Sequence, residues 1–306
     1  MEPQQAPDAG SDQDRPTCYR HPGRETYLSC VRCGKPACPE CLREAPVGHQ
    51  CVDCIKEGDR TVRQPAGVFG GRPAVSGAQV TWTLIGLNVV LYVVQWAYPA
   101  LVQKWAMLGA ACSQVSGHTC IGPAGVAFGE YYRLLTSAFI PGNASLGILD
   151  ILFNMWALLV VGPGLERLLG HLRFLVVYVA SALGGAVMYY WLAPFNQPAV
   201  GASGAIFGLF GAWFVVARRM RADVRPIVIL IVLNLVLSFV GYKIIAWQDH
   251  LGGLITGGLL TAAFAYAPRK YRTLVQVGAT LLVAALLVIA VVARNHQLTS
   301  QLGLTS

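Results

Sequence analysis

Seven apolar stretches, each close to the length that crosses a bilayer, set what this chain can fold into. A crossing helix needs about 20 mostly apolar residues. The chain offers such runs at roughly 80–100, 146–162, 172–192, 203–217, 226–241, 250–267 and 274–293. Of its 306 residues 55% are hydrophobic and only 12% charged, a balance that places it with multi-span membrane proteins rather than soluble domains. An all-α polytopic membrane body is therefore expected, preceded by a small cysteine-rich head. The N-terminus, MEPQQAPDAGSDQD, is polar and acidic and has no apolar core of the kind a targeting peptide carries.

The net charge of +8 does not point to nucleic acid, because many of the basic residues stand where apolar runs end. Lys56, Arg60, Arg63 and Arg72 precede the first run, Arg167 and Arg173 follow the second, and Arg218, Arg219, Arg221 and Arg225 follow the fourth. Arg269, Lys270 and Arg272 separate the sixth and seventh. The alternate connections are poor in charge. By the positive-inside rule the head is expected in the cytoplasm and the C-terminus outside, in a multi-pass protein of the cell membrane.

That orientation gives three polar side chains a shared depth. The fourth run enters from the outer side and begins with Ser203, in "GASGAIFG". The sixth enters from the same side and begins with His250, in "DHLGGLITGG", and the second carries Asn154 about two turns in. Taken singly, each has a plain structural reading: a serine for close packing, a satisfied histidine, an asparagine bridging helices. Together, polar groups inside membrane segments read as a site. Gly253 and Gly257 form a small-xxx-small pair, and Gly208 lies on a neighbouring face of the fourth run, so those two helices are expected to touch.

These motifs resemble the rhomboid intramembrane serine proteases. "GASGAIFG" and "HLGGLITG" carry the likeness, as do "EYYRLLTSAFI" (Glu130–Ile140, with Tyr132 and Arg133 in the positions of the family's Trp-Arg pair) and "LFNMWALLVVGPGLERLLG" (Leu152–Gly170). The resemblance implies a six-helix rhomboid-like bundle plus one C-terminal span. It implies a Ser203–His250 dyad, in which the imidazole takes the proton that makes the hydroxyl a nucleophile. Asn154 is implied as a second oxyanion donor beside the Ser203 backbone N–H. Asp249 is not expected to orient His250, since neighbours on a helix point about 100° apart. Where the family commonly has a histidine four residues before the asparagine, this chain has Asp150, either protonated or turned elsewhere and given no catalytic role. Where it often has a tyrosine four residues after the serine, this chain has Phe207, which can still stack on the imidazole.

The head reads C-x2-H, C-x2-C, C-x2-C and H-x-C-x2-C over residues 18–54. Paired knuckles with short spacers are a strong zinc signal, and eight ligands suit two structural zinc ions. The order resembles a B-box-type cross-braced finger. That resemblance implies one set of Cys18, His21, Cys38 and Cys41 and another of Cys30, Cys33, Cys51 and Cys54, with His49 a spare that could replace Cys51. No metal is expected in catalysis.

The expected domains are a disordered tail over 1–15, the zinc-binding domain over 16–56, a linker over 57–79, the seven-span body over 80–296 and a short tail over 297–306. The expected function is cleavage of transmembrane substrates from within the bilayer; the alternative is an inactive relative that binds membrane clients and recruits partners through its head. Expected partners are transmembrane proteins, the lipid bilayer and a protein bound by the zinc domain. A transporter has no support, because no acidic residue sits deep in a run. Cys112 and Cys120, in the long connection after the first run, are expected to be bridged; so short a loop would contribute about 2.5 kcal/mol.

Overall fold

The computed structural model describes residues 15–61, 69–70, 77–116, 119–141, 147–241 and 245–301, with the backbone alone at 61, 113–116 and 119–121. The tail expected over 1–15 thus lies almost wholly outside the described residues, as does much of the linker. The chain divides into two compact units, Met1–Pro65 and Ala66–Ser306.

The first unit is two small antiparallel hairpins and a helix. Strands β1 (Thr17–Cys18) and β2 (His21–Glu25) pair, as do β3 (Leu42–Glu44) and β4 (His49–Cys51), with Leu42 opposite Cys51 and Glu44 opposite His49. Helix α1 (Val52–Thr61) follows directly. Its first turn contains Cys54, whose carbonyl accepts from Arg32 at 2.8 Å. The helix runs on past residue 56, so the segment expected as linker begins helical. The buried centre of this unit is made of Cys18, Cys30, Cys38, Cys41, Cys51 and Cys54 with only Ala37 and Leu42.

The second unit is a helical bundle. Its elements are α2 (Gln79–Ala97), α3 (Ala100–Trp105), the hairpin β5 (Ala111–Ser116) and β6 (Thr119–Ala124), and α4 (Arg133–Thr136). Then come α5 (Gly147–Leu169), α6 (His171–Leu192), α7 (Ser203–Arg219), α8 (Arg225–Val240), α9 (Trp247–Tyr266) and α10 (Arg272–Gln301). Helices pair all their backbone groups internally, which is what a bilayer requires. The helices at 79–97, 147–169, 171–192 and 269–301 are long and apolar enough to cross a membrane, and α8 is a shorter apolar helix. Seven helices thus occupy the seven apolar runs. Those carrying Ser203 and His250 are the less apolar ones, since α9 is diluted by its polar first turn and its glycines.

Helix α6 runs through the middle. Phe174, Val177, Tyr178 and Ser181 on it are fully buried, as are Leu209 on α7 and Leu158 and Leu165 on α5. At the periphery, α8 and α10 expose apolar side chains such as Ile229, Leu233, Val240, Leu274, Leu281 and Ile289. Such faces suit lipid.

Two boundaries differ from expectation. The second run extends seven residues beyond 162, through Pro163 to Leu169, because this end is held by burial. Glu166, fully buried, accepts from the backbone N–H groups of Val80 and Thr81 at 2.8 Å each and from the Thr81 hydroxyl at 2.6 Å. It also pairs with His171 Nδ1 at 2.5 Å. One carboxylate thereby satisfies two of the orphan donors at the start of α2. Gly170, at φ 85°, makes the break before α6. Helix α10 runs to Gln301, through residues expected as tail. It is anchored there: Tyr190 donates to Asn295 Oδ1 at 2.6 Å, and Arg294 Nε donates to the Tyr190 carbonyl at 3.1 Å.

Candidate active site and candidate metal centre

The closest helix pair in the bundle is α7 with α9, and glycine makes it so. A methyl group on Gly257 would come within 2.6 Å of the Gly208 Cα, and one on Gly253 within 2.7 Å of the Gly204 carbonyl carbon. On α7 itself, a methyl on Gly211 would meet the Leu254 carbonyl at 2.6 Å. The small-residue seam anticipated between the two helices is present, with Gly204 and Gly208 facing Gly253 and Gly257, and Gly211 facing Leu254 and Gly258.

The seam sets the depth of His250. The residue is buried, and its ring lies on that of Phe207, with centroids 4.2 Å apart and planes 10° apart. Its Nδ1 is 2.7 Å from the hydroxyl of Ser238 on α8. Asp249 points elsewhere, against Gly185 of α6 and Gly204 of α7. The residue beside the histidine in sequence is therefore not its partner, and a serine from a different helix is.

Ser203 is the first residue of α7, half-buried. Its approach is fixed by the long connection after α2. There Arg133, buried, donates through Nε to Glu130 at 2.7 Å and through Nη1 to the carbonyls of Gln103 at 2.7 Å and Ala106 at 2.9 Å. Burial pushes the Glu130 carboxyl up, but Arg133 and the Gly125 N–H outweigh it and hold the group below the usual carboxylate range. The clamp fixes Met107, which exchanges backbone hydrogen bonds with Ala199 at 2.8 and 2.9 Å. Gly201 then donates to the Ser137 carbonyl at 2.9 Å and turns the chain at φ 130°, a conformation open to glycine. Arg133 is thus an inward staple for the segment that delivers Ser203, while Tyr132 beside it stays exposed.

Asn154, buried on α5, donates through Nδ2 to Asp150 Oδ1 at 2.9 Å, one helical turn back. A methyl on Gly201 would lie 3.6 Å from Ser203 Oγ and 3.8 Å from Asp150 Oδ2, so hydroxyl and carboxylate flank the same glycine. Asp150 therefore orients the amide. A narrow crevice of about 10 Å³, room for a single water, adjoins Gly201, with Met107, Ser137, Tyr189, Val200 and Asp249 in its wall.

Ser238 and Glu166 were not singled out from sequence. Both are polar residues inside otherwise apolar helices, the same signal that marked Ser203 and Asn154. What distinguishes them is a partner on another helix.

In the N-terminal unit, Cys18, His21, Cys38 and Cys41 gather in one group and Cys30, Cys33, Cys51 and Cys54 in a second, with the ligand atoms of each within 4.8 Å of one another. These are the two sets that the finger resemblance implies, and exposed His49 belongs to neither. All seven cysteines of this unit are free. Burial pushes the Cys18 thiol up, yet backbone N–H groups of Cys38, Arg20 and His21 outweigh it and bring it down to about 6. Cys30 is likewise brought to about 6 by N–H groups of Cys51, Cys33 and Arg32. Cys112 is disulfide-bonded; the side chain of Cys120, its expected partner, lies outside the described residues.

A bundle of apolar helices with a hydroxyl, an imidazole and a carboxamide sunk into one end is a multi-pass membrane protein with an embedded polar site. The chain belongs to the rhomboid family. Residues 128–268 match the Rhomboid domain. The chain is similar to rhomboid protease GluP of Bacillus subtilis (strain 168), 39% identical over 149 residues, which are 47% of this chain and 28% of that protein. It is similar to the rhomboid YdcA of the same organism, 38% identical over 142 residues, covering 45% of this chain and 69% of the relative. To rhomboid protease AarA of Providencia stuartii it is 25% identical over 234 residues, covering 66% and 78%.

Proposed function

We propose that this protein is an intramembrane serine endopeptidase that cuts transmembrane segments of other proteins, with Ser203 as nucleophile, His250 as general base and Asn154 as an oxyanion donor. The observation that carries this reading is the stack of His250 on Phe207. Phe207 stands four residues after Ser203, on the same face of α7. An imidazole lying on that ring is on the side of the helix that carries the hydroxyl. Two of the relatives are named rhomboid proteases, which supports the reaction class.

In this reaction the Ser203 Oγ attacks the scissile carbonyl as its proton passes to His250. The tetrahedral oxyanion accepts from the Ser203 N–H, an orphan donor at the start of α7, and from Asn154 Nδ2. Nδ2 carries two hydrogens, so the bond to Asp150 leaves one for the oxyanion. The positive end of the α7 dipole favours the same charge. His250 returns its proton to the leaving amine, and water then hydrolyses the acyl-enzyme by the same route.

The arginine pattern supports a cytoplasmic N-terminal unit and an external C-terminus. The free thiols of the head and the bonded Cys112 agree with opposite redox sides.

In the head, each cluster holds one structural zinc ion. Tetrahedral zinc at ordinary bond lengths sets S···S edges of about 3.8 Å and S···N edges of about 3.5 Å. The Cys33–Cys51 sulfurs are 3.7 Å apart, and His21 Nδ1 is 3.4, 3.5 and 3.8 Å from the sulfurs of Cys38, Cys41 and Cys18. With only Ala37 and Leu42 as ordinary core, the unit draws its stability from the metal. Its surface is the place for a protein partner.

A fluorophosphonate probe tests the enzyme reading. Labelling of the wild type, lost in Ser203→Ala and His250→Ala together with cleavage of a membrane substrate, is expected. A wild type that never labels, in protein that binds membrane clients, would establish the inactive alternative.

A further inference from the structure

We infer that Ser238 is the positioning residue for His250, so that the imidazole is held by a chain of hydrogen bonds that runs through the Ser238 hydroxyl and ends in an α8 carbonyl. The inference rests on the protease reading for its kinetic consequence but not for its geometry. Ser238 Oγ lies 2.7 Å from the Asn234 carbonyl, which can only accept, so the serine donates its proton there. Its lone pairs then face His250 Nδ1 at 2.7 Å. Nδ1 must carry the ring's proton to complete that bond. The proton is therefore fixed on Nδ1, and Nε2 is left with a lone pair to receive the Ser203 proton. A histidine free to change tautomer would spend part of its time with the wrong nitrogen protonated.

Other candidates for this task are absent from the described surroundings of the ring. Asp249 turns to Gly185 and Gly204, and Phe207 offers only a face. A neutral hydroxyl orients the imidazole without adding a charge to a buried site.

The packing of α8 gives the bond a further meaning. Of the 16 residues of this helix, Ser238 alone is buried. The neighbouring Phe239 stacks on Trp247 at the start of α9, centroids 4.7 Å apart. Seating of α8 against α9 and orientation of the base are thus one event at residues 238 and 239. Displacing α8 would take the acceptor away from the Nδ1 proton.

The test compares Ser238→Thr with Ser238→Val, side chains of equal shape that differ in the hydroxyl. Cleavage of a fluorogenic membrane substrate and the rate of fluorophosphonate labelling are measured beside Ser203→Ala, with thermal unfolding in detergent as a folding check. The valine variant is expected to lose about 10-fold in kcat and in labelling rate with KM unchanged. The threonine variant stays within about 2-fold. Nitrogen-15 NMR of labelled histidines, with His250→Gln to assign the signal, is expected to find one tautomer protonated at Nδ1 in the wild type and threonine forms and a mixture in the valine form. Equal kinetics in the valine and threonine variants, or an Nε2-protonated ring in the wild type, would overturn the inference. Should the wild type fail to label at all, the protease reading falls, while the NMR comparison still decides the Ser238–His250 pairing.

Discussion

The imidazole of His250 lies flat on the phenyl ring of Phe207, one turn along α7 from Ser203. A stacked pair of this kind is worth about 1 kcal/mol beyond the area it buries. Phe207→Ala removes the platform and gives the ring room to tilt, so a fall in kcat/KM of about 5-fold is expected. Phe207→Tyr keeps the platform and is expected within about 2-fold of wild type. Steady-state cleavage of one membrane substrate by the three forms checks this. Full activity in the alanine form would mean that the stack does not position the base.

Much of this arrangement was legible in the sequence, and the part that was not has a common cause. Ser203, His250 and Asn154 stand out because each breaks an apolar run near the same end, and depth follows from counting residues. The α7–α9 contact follows from glycine spacing alone. Ser238 breaks an apolar run too, but its importance comes from His250, twelve residues on and on another helix. Glu166 sits among Arg167 and leucines and reads as the polar end of a span; only the folded chain brings the bare N–H groups of Val80 and Thr81 to it. Arg133 is marked in the sequence only by its place in the Trp-Arg-like pair, and its burial depends on carbonyls some 30 residues back. Patterns within one helix are written in the sequence, whereas pairings between helices are set by packing.

Asp150 offers a second test, because its carboxylate faces both Asn154 and the glycine beside Ser203. Asp150→Asn keeps an acceptor for the Asn154 amide and removes a charge that would repel the oxyanion, so turnover is expected to hold or rise. Asp150→Ala frees the amide and is expected to lower kcat, by less than the roughly 100-fold that loss of an oxyanion donor can cost. Asn154→Ala sets the floor, with activity retained in part through the Ser203 N–H. A fall in Asp150→Asn as deep as in Asp150→Ala would show that the charge itself is needed.

The glycine seam is tested by two alanines of opposite expectation. At Gly253 the new methyl has no room against the Gly204 backbone, whereas at Gly278 on α10 nothing lies within 4 Å. Gly253→Ala should force the α7–α9 seam apart and lower both activity and thermal stability. Gly278→Ala should leave activity unchanged and stabilise slightly, by about 0.5–1 kcal/mol, through helix propensity. Thermal unfolding in detergent with activity on the same samples measures both. A wild-type melting profile for Gly253→Ala would mean that the seam is looser than its geometry.

The two cysteine clusters fix a stoichiometry. Elemental analysis of full-length protein purified without chelator is expected to find two zinc ions per chain. Cys30→Ser should reduce the count while leaving fluorophosphonate labelling of Ser203 intact, since no head residue enters the chemistry. Protein free of zinc whose N-terminal unit still resists proteolysis would remove the metal from the account of that unit.

The last expectation ties cysteine chemistry to orientation. The seven head thiols are free and Cys112 is bonded, a division that matches a reducing cytoplasm on one side and an oxidising exterior on the other. In intact cells, an impermeant maleimide should leave Cys112 unmodified until an external reductant is added. Head cysteines should remain unmodified throughout, reacting only after permeabilisation and chelation of zinc. Mass spectrometry of tryptic peptides reads both outcomes in one sample. Cys112 alkylated without reductant would break the bridge, and head cysteines alkylated from outside would invert the topology. Ser203 and His250 would then open toward the cytoplasm, because the N-terminal ends of α7 and α9 must lie across the bilayer from the head in the arrangement that the arginines define.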